Sequence, residues 1–260
     1  KNYFLMIKKK KVVIVGGGIN GLVAANYLSK DGFSVSIIER NPIVGGACTF
    51  RTKKIGDQTI DFAYGATVFG MMPDFIFQET GLSNNVEIFA PKHPKLVYFP
   101  DSNTSTRIYQ NYKKLDQEIK NKWGERGDLE NYRNDEDKIV DFIRQGFRYG
   151  ETPSIEKANT VLGKTLTNLW INGSAKNLLD HYFTSDKTKI YMGMTRIESG
   201  SSSMHNKGTA FTIPLMDSGS VFNGYWGYVK GGIWQITEEI SKINKSLGVM
   251  FYMSSNINSI

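Results

Sequence analysis

Three glycines and one acid are the residues of this chain best placed to do chemistry. Gly16, Gly18 and Gly21 stand at GxGxxG spacing, and Glu39 follows eighteen positions after the last of them. In such a turn the first glycine permits the tight bend and the second lets the backbone approach a pyrophosphate. The third lets a helix pack closely on a strand, so that phosphates sit at the positive end of that helix. A carboxylate at the end of the next strand accepts hydrogen bonds from ribose hydroxyls. It would repel a 2′-phosphate, which disfavours NADP.

The flanking pattern supplies the elements that must position these groups. Lys11 to Val15 is a β-branched run suited to a strand buried on both faces. Leu22, Ala25 and Leu28 recur at helical spacing, and Gly32 is placed to end that helix. Ser34 to Ile38 then forms a second strand that delivers Glu39. A glycine-rich turn by itself is a weak signal, and the strand–turn–helix–strand context is what gives it meaning. A second glycine pair, Gly45-Gly46, comes shortly after.

Glu39-Arg40, a short spacer and Gly45-Gly46-Ala47 resemble the adenosine-binding segment of FAD-dependent amine oxidases and phytoene desaturases, whose extra glycine pair lies near the cofactor diphosphate. Ile60 to Gly65, IDFAYG, resembles the strand and turn that follow in that superfamily. Gly227 to Ile260 resembles the return to the FAD domain, with a glycine pair, a helix and a strand. The segments Asn20 to Ala25 and Trp226 to Gly232 point to the phytoene desaturase-like oxidoreductases, including the pyridine nucleotide-disulfide oxidoreductase domain-containing protein 2 group. The resemblance covers residues 11–75 and 215–260 and is faint between them.

It implies an α/β fold: a doubly wound, glutathione reductase-like FAD-binding domain with an inserted α+β substrate domain. The FAD-binding domain would take residues 6–75 and 216–260, with the substrate or cap region at 76–215. The implied cofactor is FAD, held by Gly16, Gly18, Ile19, Asn20, Gly21, Glu39, Arg40, Gly45, Gly46, Ala47, Gly231 and Gly232. The implied reaction is hydride removal from an apolar or amine substrate. A flavin amine oxidase and a non-catalytic nucleotide-binding subunit or scaffold are the alternatives.

Cys48 is the one cysteine, so a redox dithiol within the chain is excluded, and a small buried residue beside the diphosphate is the plainer expectation. The three histidines have no metal-ligand spacing, and no nucleophile elbow or paired-acid motif stands out, so no catalytic residue and no metal are assigned. Flavoenzymes need fewer such groups, because the isoalloxazine accepts the hydride. Tyr64, Trp226 and Tyr228 are candidates to line a flavin pocket, with a core position the commoner role for such aromatics.

The formal charge is +7, from 32 Lys+Arg against 25 Asp+Glu. Its lysines are spread out, apart from Lys8 to Lys11, and lack the interleaved aromatics of a nucleic-acid surface. Peripheral attraction to anionic lipid is the most that this charge implies. No run reaches the roughly twenty apolar residues of a membrane span, and Lys8 to Ala25 has no cleavage site of a signal peptide. With a single cysteine, a cytoplasmic location is expected, and Met6 is a natural start.

Between Pro73 and Gly219 the pattern is mixed. Short strands are expected at Val86–Phe89, Leu96–Phe99 and Thr106–Tyr109, and helices at Asp74–Thr80, Leu115–Trp123 and Leu129–Phe147. Asp135 to Asp137 reads as a solvated helix face, and Ser199 to Ser203 as a loop. Val12–Val15, Val35–Ile38 and Val249–Met253 supply three strands of a doubly wound sheet, which leaves the first strand with an open edge. A C-terminal portion or a partner polypeptide is therefore expected to complete the fold.

Overall fold

The computed structural model describes residues 10–92, 95–150, 152, 154–198 and 200–259. Met6, Lys8, Lys9, His93, Pro94, Ser199 and Ile260, used in the sequence reading, lie outside the described residues. The chain runs β1 (Lys11–Val15), α1 (Ile19–Lys30), β2 (Ser34–Ile38), β3 (Phe50–Ile55), β4 (Gln58–Ala63), α2 (Asp74–Glu79), β5 (Ile88–Phe89), β6 (Lys95–Phe99) and β7 (Thr104–Ile108). It continues with α3 (Tyr112–Trp123), α4 (Leu129–Tyr149), α5 (Ile155–Leu166), α6 (Ala175–Tyr182), α7 (Asp186–Glu198), α8 (Thr212–Met216), β8 (Tyr228–Val229), α9 (Trp234–Ser246) and β9 (Met250–Tyr252). These elements form two compact units, residues 1–69, 74–89 and 227–260, and residues 70–73 and 90–226.

In the first unit a parallel sheet of order β1-β2-β9 has Val12 opposite Val35, Ile14 opposite Ile37, and Ile37 opposite Phe251. The period of two sends these residues to one face; α1 lies against β2 and α9 against α1, and Leu22, Ala25, Ile236 and Ile240 of these helices are buried. A buried amide pair fastens the helices: Asn26 Nδ2 donates to Asn244 Oδ1 at 3.0 Å, and Asn244 Nδ2 to the Leu22 carbonyl at 2.8 Å. The opposite face carries Val13, Val15, Met250 and Tyr252, each about half exposed or more. β3 and β4 form an antiparallel hairpin that pairs Arg51 with Phe62 and Lys53 with Ile60.

The second unit is mainly helical around one aromatic core. The Tyr132 ring lies 5.2 Å from Trp170, 5.3 Å from Tyr182 and 5.0 Å from Phe183. Its helices start where short polar side chains accept from the first turn: Asn111 from the Lys114 amide, Asp128 from Asn131, Ser154 from Lys157 and Ser174 from Asn177. The Asn111 cap explains why α3 begins three residues before the expected Leu115.

Several expectations need correction. The boundary expected at 75/76 falls elsewhere, because Phe77, Leu82 and Val86 are buried with the first unit and β5 pairs β8. Likewise residues 216–226 pack with the second unit, where Arg144 donates to the carbonyls of Ser218 and Gly219. The strand expected from Val86 shrinks to Ile88–Phe89. Asp135 to Asp137 is a solvated face only at its ends, since Glu136 is buried while Asp137 is exposed and Asp135 half-buried. Glu136 is four residues after Tyr132 and three before Ile139, so α4 turns it inward, where it is 2% exposed and accepts from Tyr132 Oη at 2.9 Å. Tyr64 and Tyr228 are on the surface, the first under the Arg51 guanidinium and the second against Phe89. Among the described residues no helix is long and apolar enough to cross a membrane.

Candidate functional site

The candidate site is built where β1 gives way to α1. Val15 ends the strand, and Gly16 turns the chain at φ +100°, a left-handed value that side chains rarely adopt, while its amide still donates to the Ile38 carbonyl at 2.8 Å. Gly18 occupies the N-cap of α1 with no side-chain cap. The amides of Ile19, Asn20 and Gly21 open the helix without intrahelical acceptors, at the positive end of its dipole. Such an end accepts an anion.

The three glycines differ in what they leave room for. A Cβ on Gly21 would lie 2.3 Å from the Gly16 carbonyl oxygen, so the close approach of helix to turn requires glycine. A Cβ on Gly18 would meet nothing nearer than the Gly46 Cα at 4.0 Å, and around Gly16 the space is open. The third position therefore serves packing, and the first two leave backbone that a ligand can reach.

Gly45 and Gly46 are brought against this turn. The Gly45 amide donates to the Gly17 carbonyl at 2.8 Å, and Gly18 and Gly45 form a parallel bridge. Both residues of the pair have positive φ, +128° and +57°, and a Cβ on Gly46 would press on the Gly18 Cα at 3.2 Å. Beyond them Thr237 of α9 donates to the Cys48 carbonyl at 3.0 Å, and Ala47 accepts from the Ala66 amide at 2.7 Å. Cys48 itself is half-buried, and burial pushes its thiol up, away from the reactive thiolate.

Glu39 closes the other side. It is 6% exposed; Oε2 accepts from the Gly17 amide at 2.7 Å, and Oε1 accepts from both the backbone and side-chain nitrogens of Asn41 at 2.8 Å. Burial alone would raise its pKa, but the Asn41 and Gly17 amides, the Asn41 side chain and the Arg40 charge outweigh it and hold the carboxyl below its ordinary value. A carboxylate has about four lone-pair sites, so acceptor capacity remains for a hydroxyl.

Arg40 is exposed, and Gly231 and Gly232 shape the turn into α9, where a Cβ on Gly232 would strike the Trp234 ring at 2.3 Å. None of the hydrogen bonds among the described residues ties these two glycines to the Gly16–Gly21 turn. Gly17 and Asn41 are site residues that sequence reasoning passed over. Gly17 is the untyped position inside the motif, and Asn41 signals itself only as a short polar residue two places after the acid.

The fold of this segment is that of a Rossmann-like unit, and residues 14–75 match the family model described as NAD(P)-binding Rossmann-like domain. More particularly, the chain is similar over nearly its whole length to two desaturases. It is 25% identical to a 4,4'-diapophytoene desaturase (4,4'-diaponeurosporene-forming) of Staphylococcus aureus (strain COL), covering 96% of this chain and 49% of that protein. It is 26% identical to a phytoene desaturase of Fusarium fujikuroi, covering 97% of this chain and 44% of the other. The chain thus spans about half the length of the curated relatives it matches. The solved cyclohexylamine oxidase from Brevibacterium oxydans IH-35A shares the fold at a TM-score of 0.55 and 16% identity, over 95% of this chain and 51% of that one.

Proposed function

We propose that the chain binds FAD and contributes the ADP-binding half and substrate unit of an oxidoreductase of the desaturase type. The observation that carries this reading is the joined glycine site, with open backbone at Gly16 and Gly18, free first-turn amides, and an ionised Glu39 anchored beside them. An ADP moiety fits such a set: its diphosphate meets the amides of Ile19, Asn20 and Gly21, while an adenosine ribose meets the Glu39 carboxylate. When bound, the flavin supplies the hydride acceptor. The chain's own residues hold and orient it: Gly45 and Gly46 keep the loop against the turn, and Ala47 and Thr237 fix the far side of that loop.

A further polypeptide portion completes the enzyme in this reading. Parallel α/β sheets are ordinarily covered on both faces, whereas here Val13, Val15, Met250 and Tyr252 leave one face in water. The length of the curated relatives supports the same reading. A desaturase-type substrate would be apolar, and membrane contact would be peripheral.

Titration of the purified chain with FAD and with ADP tests the site, with Gly18→Val as the blocked control. Binding of both ligands by the wild type and neither by the variant is expected, and a variant that retains flavin would remove the assignment. The short chain should hold flavin loosely and turn over poorly until the covering portion is supplied. Tight, stoichiometric flavin with steady turnover from the chain alone would overturn that part.

A further inference from the structure

The two oxygens of the Glu39 carboxylate are unequally occupied. Oε1 accepts from the Asn41 amide and from Asn41 Nδ2, each at 2.8 Å, whereas Oε2 accepts from the Gly17 amide alone, at 2.7 Å. A carboxylate oxygen offers two lone-pair directions. Both directions of Oε1 are therefore spent on one residue, while Oε2 keeps one for a ligand.

The backbone holds Asn41 where it can do this. β2 and β9 end side by side: the Glu39 amide donates to the Tyr252 carbonyl at 2.9 Å, and the Ser255 amide to the Glu39 carbonyl at 3.0 Å. The Ser254 amide donates to the Asn41 carbonyl at 3.1 Å, from a turn in which Ser254 takes the left-handed φ of +51°. Pro42 follows, and a proline restricts the backbone of the residue before it. Fixed two places beyond the acid, the asparagine reaches Oε1 with main chain and side chain together.

A ribose presents two neighbouring hydroxyls, and a carboxylate with both oxygens open can take one on each. We propose that Asn41 is a positioning residue that caps Oε1 and so limits Glu39 to a single ribose hydroxyl, accepted on Oε2. The inference rests on the nucleotide reading of this site and goes beyond it, since that reading leaves open how many hydroxyls the acid holds. The second hydroxyl is left to water, and its removal costs the complex nothing. Of the three donors on Glu39, two are backbone amides that survive replacement by alanine, so Asn41 Nδ2 is the one that mutation can take away.

Calorimetric titration of the whole chain with ADP, 2′-deoxy-ADP and 3′-deoxy-ADP tests this. In the wild type one deoxy analogue should bind about ten- to a hundredfold more weakly than ADP, the value of one charge-assisted hydrogen bond, and the other as tightly as ADP. Asn41→Ala opens one direction of Oε1, which gives the second hydroxyl an acceptor. In that variant both analogues should bind more weakly than ADP. A merely structural role for Asn41 would weaken all three ligands alike and create no new preference.

A wild-type protein that penalises both analogues would overturn the proposal and leave nucleotide binding standing, as would a folded Asn41→Ala protein that keeps the wild-type pattern or weakens all three ligands alike. Three equal affinities in the wild type would remove Glu39 from the ribose, and the proposal with it. A chain that binds no ADP at all would remove the nucleotide reading itself. If the variant fails to fold, the wild-type contrast between the two analogues decides alone.

Discussion

The carboxylate of Glu39 accepts a hydrogen bond from the amide of Gly17 at 2.7 Å, across twenty-two positions of sequence. The acid that ends β2 and the glycine turn that ends β1 are therefore one assembly. Replacing Glu39 with Gln removes the charge and leaves one acceptor oxygen. Loss of a charge-assisted ribose bond should weaken FAD or ADP binding by about 1.5–3 kcal/mol, roughly ten- to a hundredfold. Fluorescence titration measures this, and an unchanged dissociation constant would confine Glu39 to holding Gly17.

The glycines of the turn should separate by substitution. Gly21→Ala places a Cβ 2.3 Å from the Gly16 oxygen and should destabilise the fold by about 1–3 kcal/mol, the usual cost of overpacking. Gly18→Val meets no protein atom within 3.9 Å of its Cβ and should cost no more than about 1 kcal/mol, as for a changed N-cap, yet abolish flavin binding. Melting curves set beside flavin titrations of the two variants give the comparison. Equal loss of stability in both would contradict the division of roles.

The amide pair Asn26 and Asn244 makes a third case. Both are fully buried between α1 and α9, and Asn244 bonds both Asn26 and the Leu22 carbonyl. Asn244→Ala leaves the Asn26 amide only the Thr80 carbonyl at 3.4 Å and should cost about 1–3 kcal/mol in urea unfolding. A double replacement of both by apolar residues should cost less than the sum of the singles, since neither amide is then left facing a missing partner.

Acid should act on the second unit through Glu125. This carboxylate is 3% exposed; Oε1 accepts from the amides of Arg126, Gly127 and Thr184, and Oε2 from that of Ser185. Burial works to raise its pKa, but the Thr184 and Gly127 hydrogen bonds prevail and lower it from 4.5 to about 2. With the folded value depressed, its contribution is full above pH 4.5 and is lost as pH falls toward 2. Thermal unfolding between pH 5 and 2 should show that loss. Glu125→Gln sets an amide donor against the donors it must serve, so it should be less stable near neutrality by about 2 kcal/mol and flatter with pH.

How much was legible in the sequence follows from the range of the interactions involved. The turn at Gly16, Gly18 and Gly21, the strands beside it and the helix behind it are fixed by local rules: β-branched runs, helical spacing and glycine where φ is positive. Those rules act over a few residues and could be read directly. The same holds for the helix start at Asp128, whereas the cap at Asn111 lies ahead of the apolar stripe that placed its helix at Leu115. Other features depend on contacts between distant segments. That Asn41 and Gly17 both bind Glu39, that Asn26 meets Asn244 across 218 positions, and that residues 74–89 pack with the first unit are set by tertiary packing. Glu136 shows the difference most clearly: three acids in a row read as a face turned to water. Only the placement of Tyr132 and Arg133 around the middle one reveals that it is buried and paired.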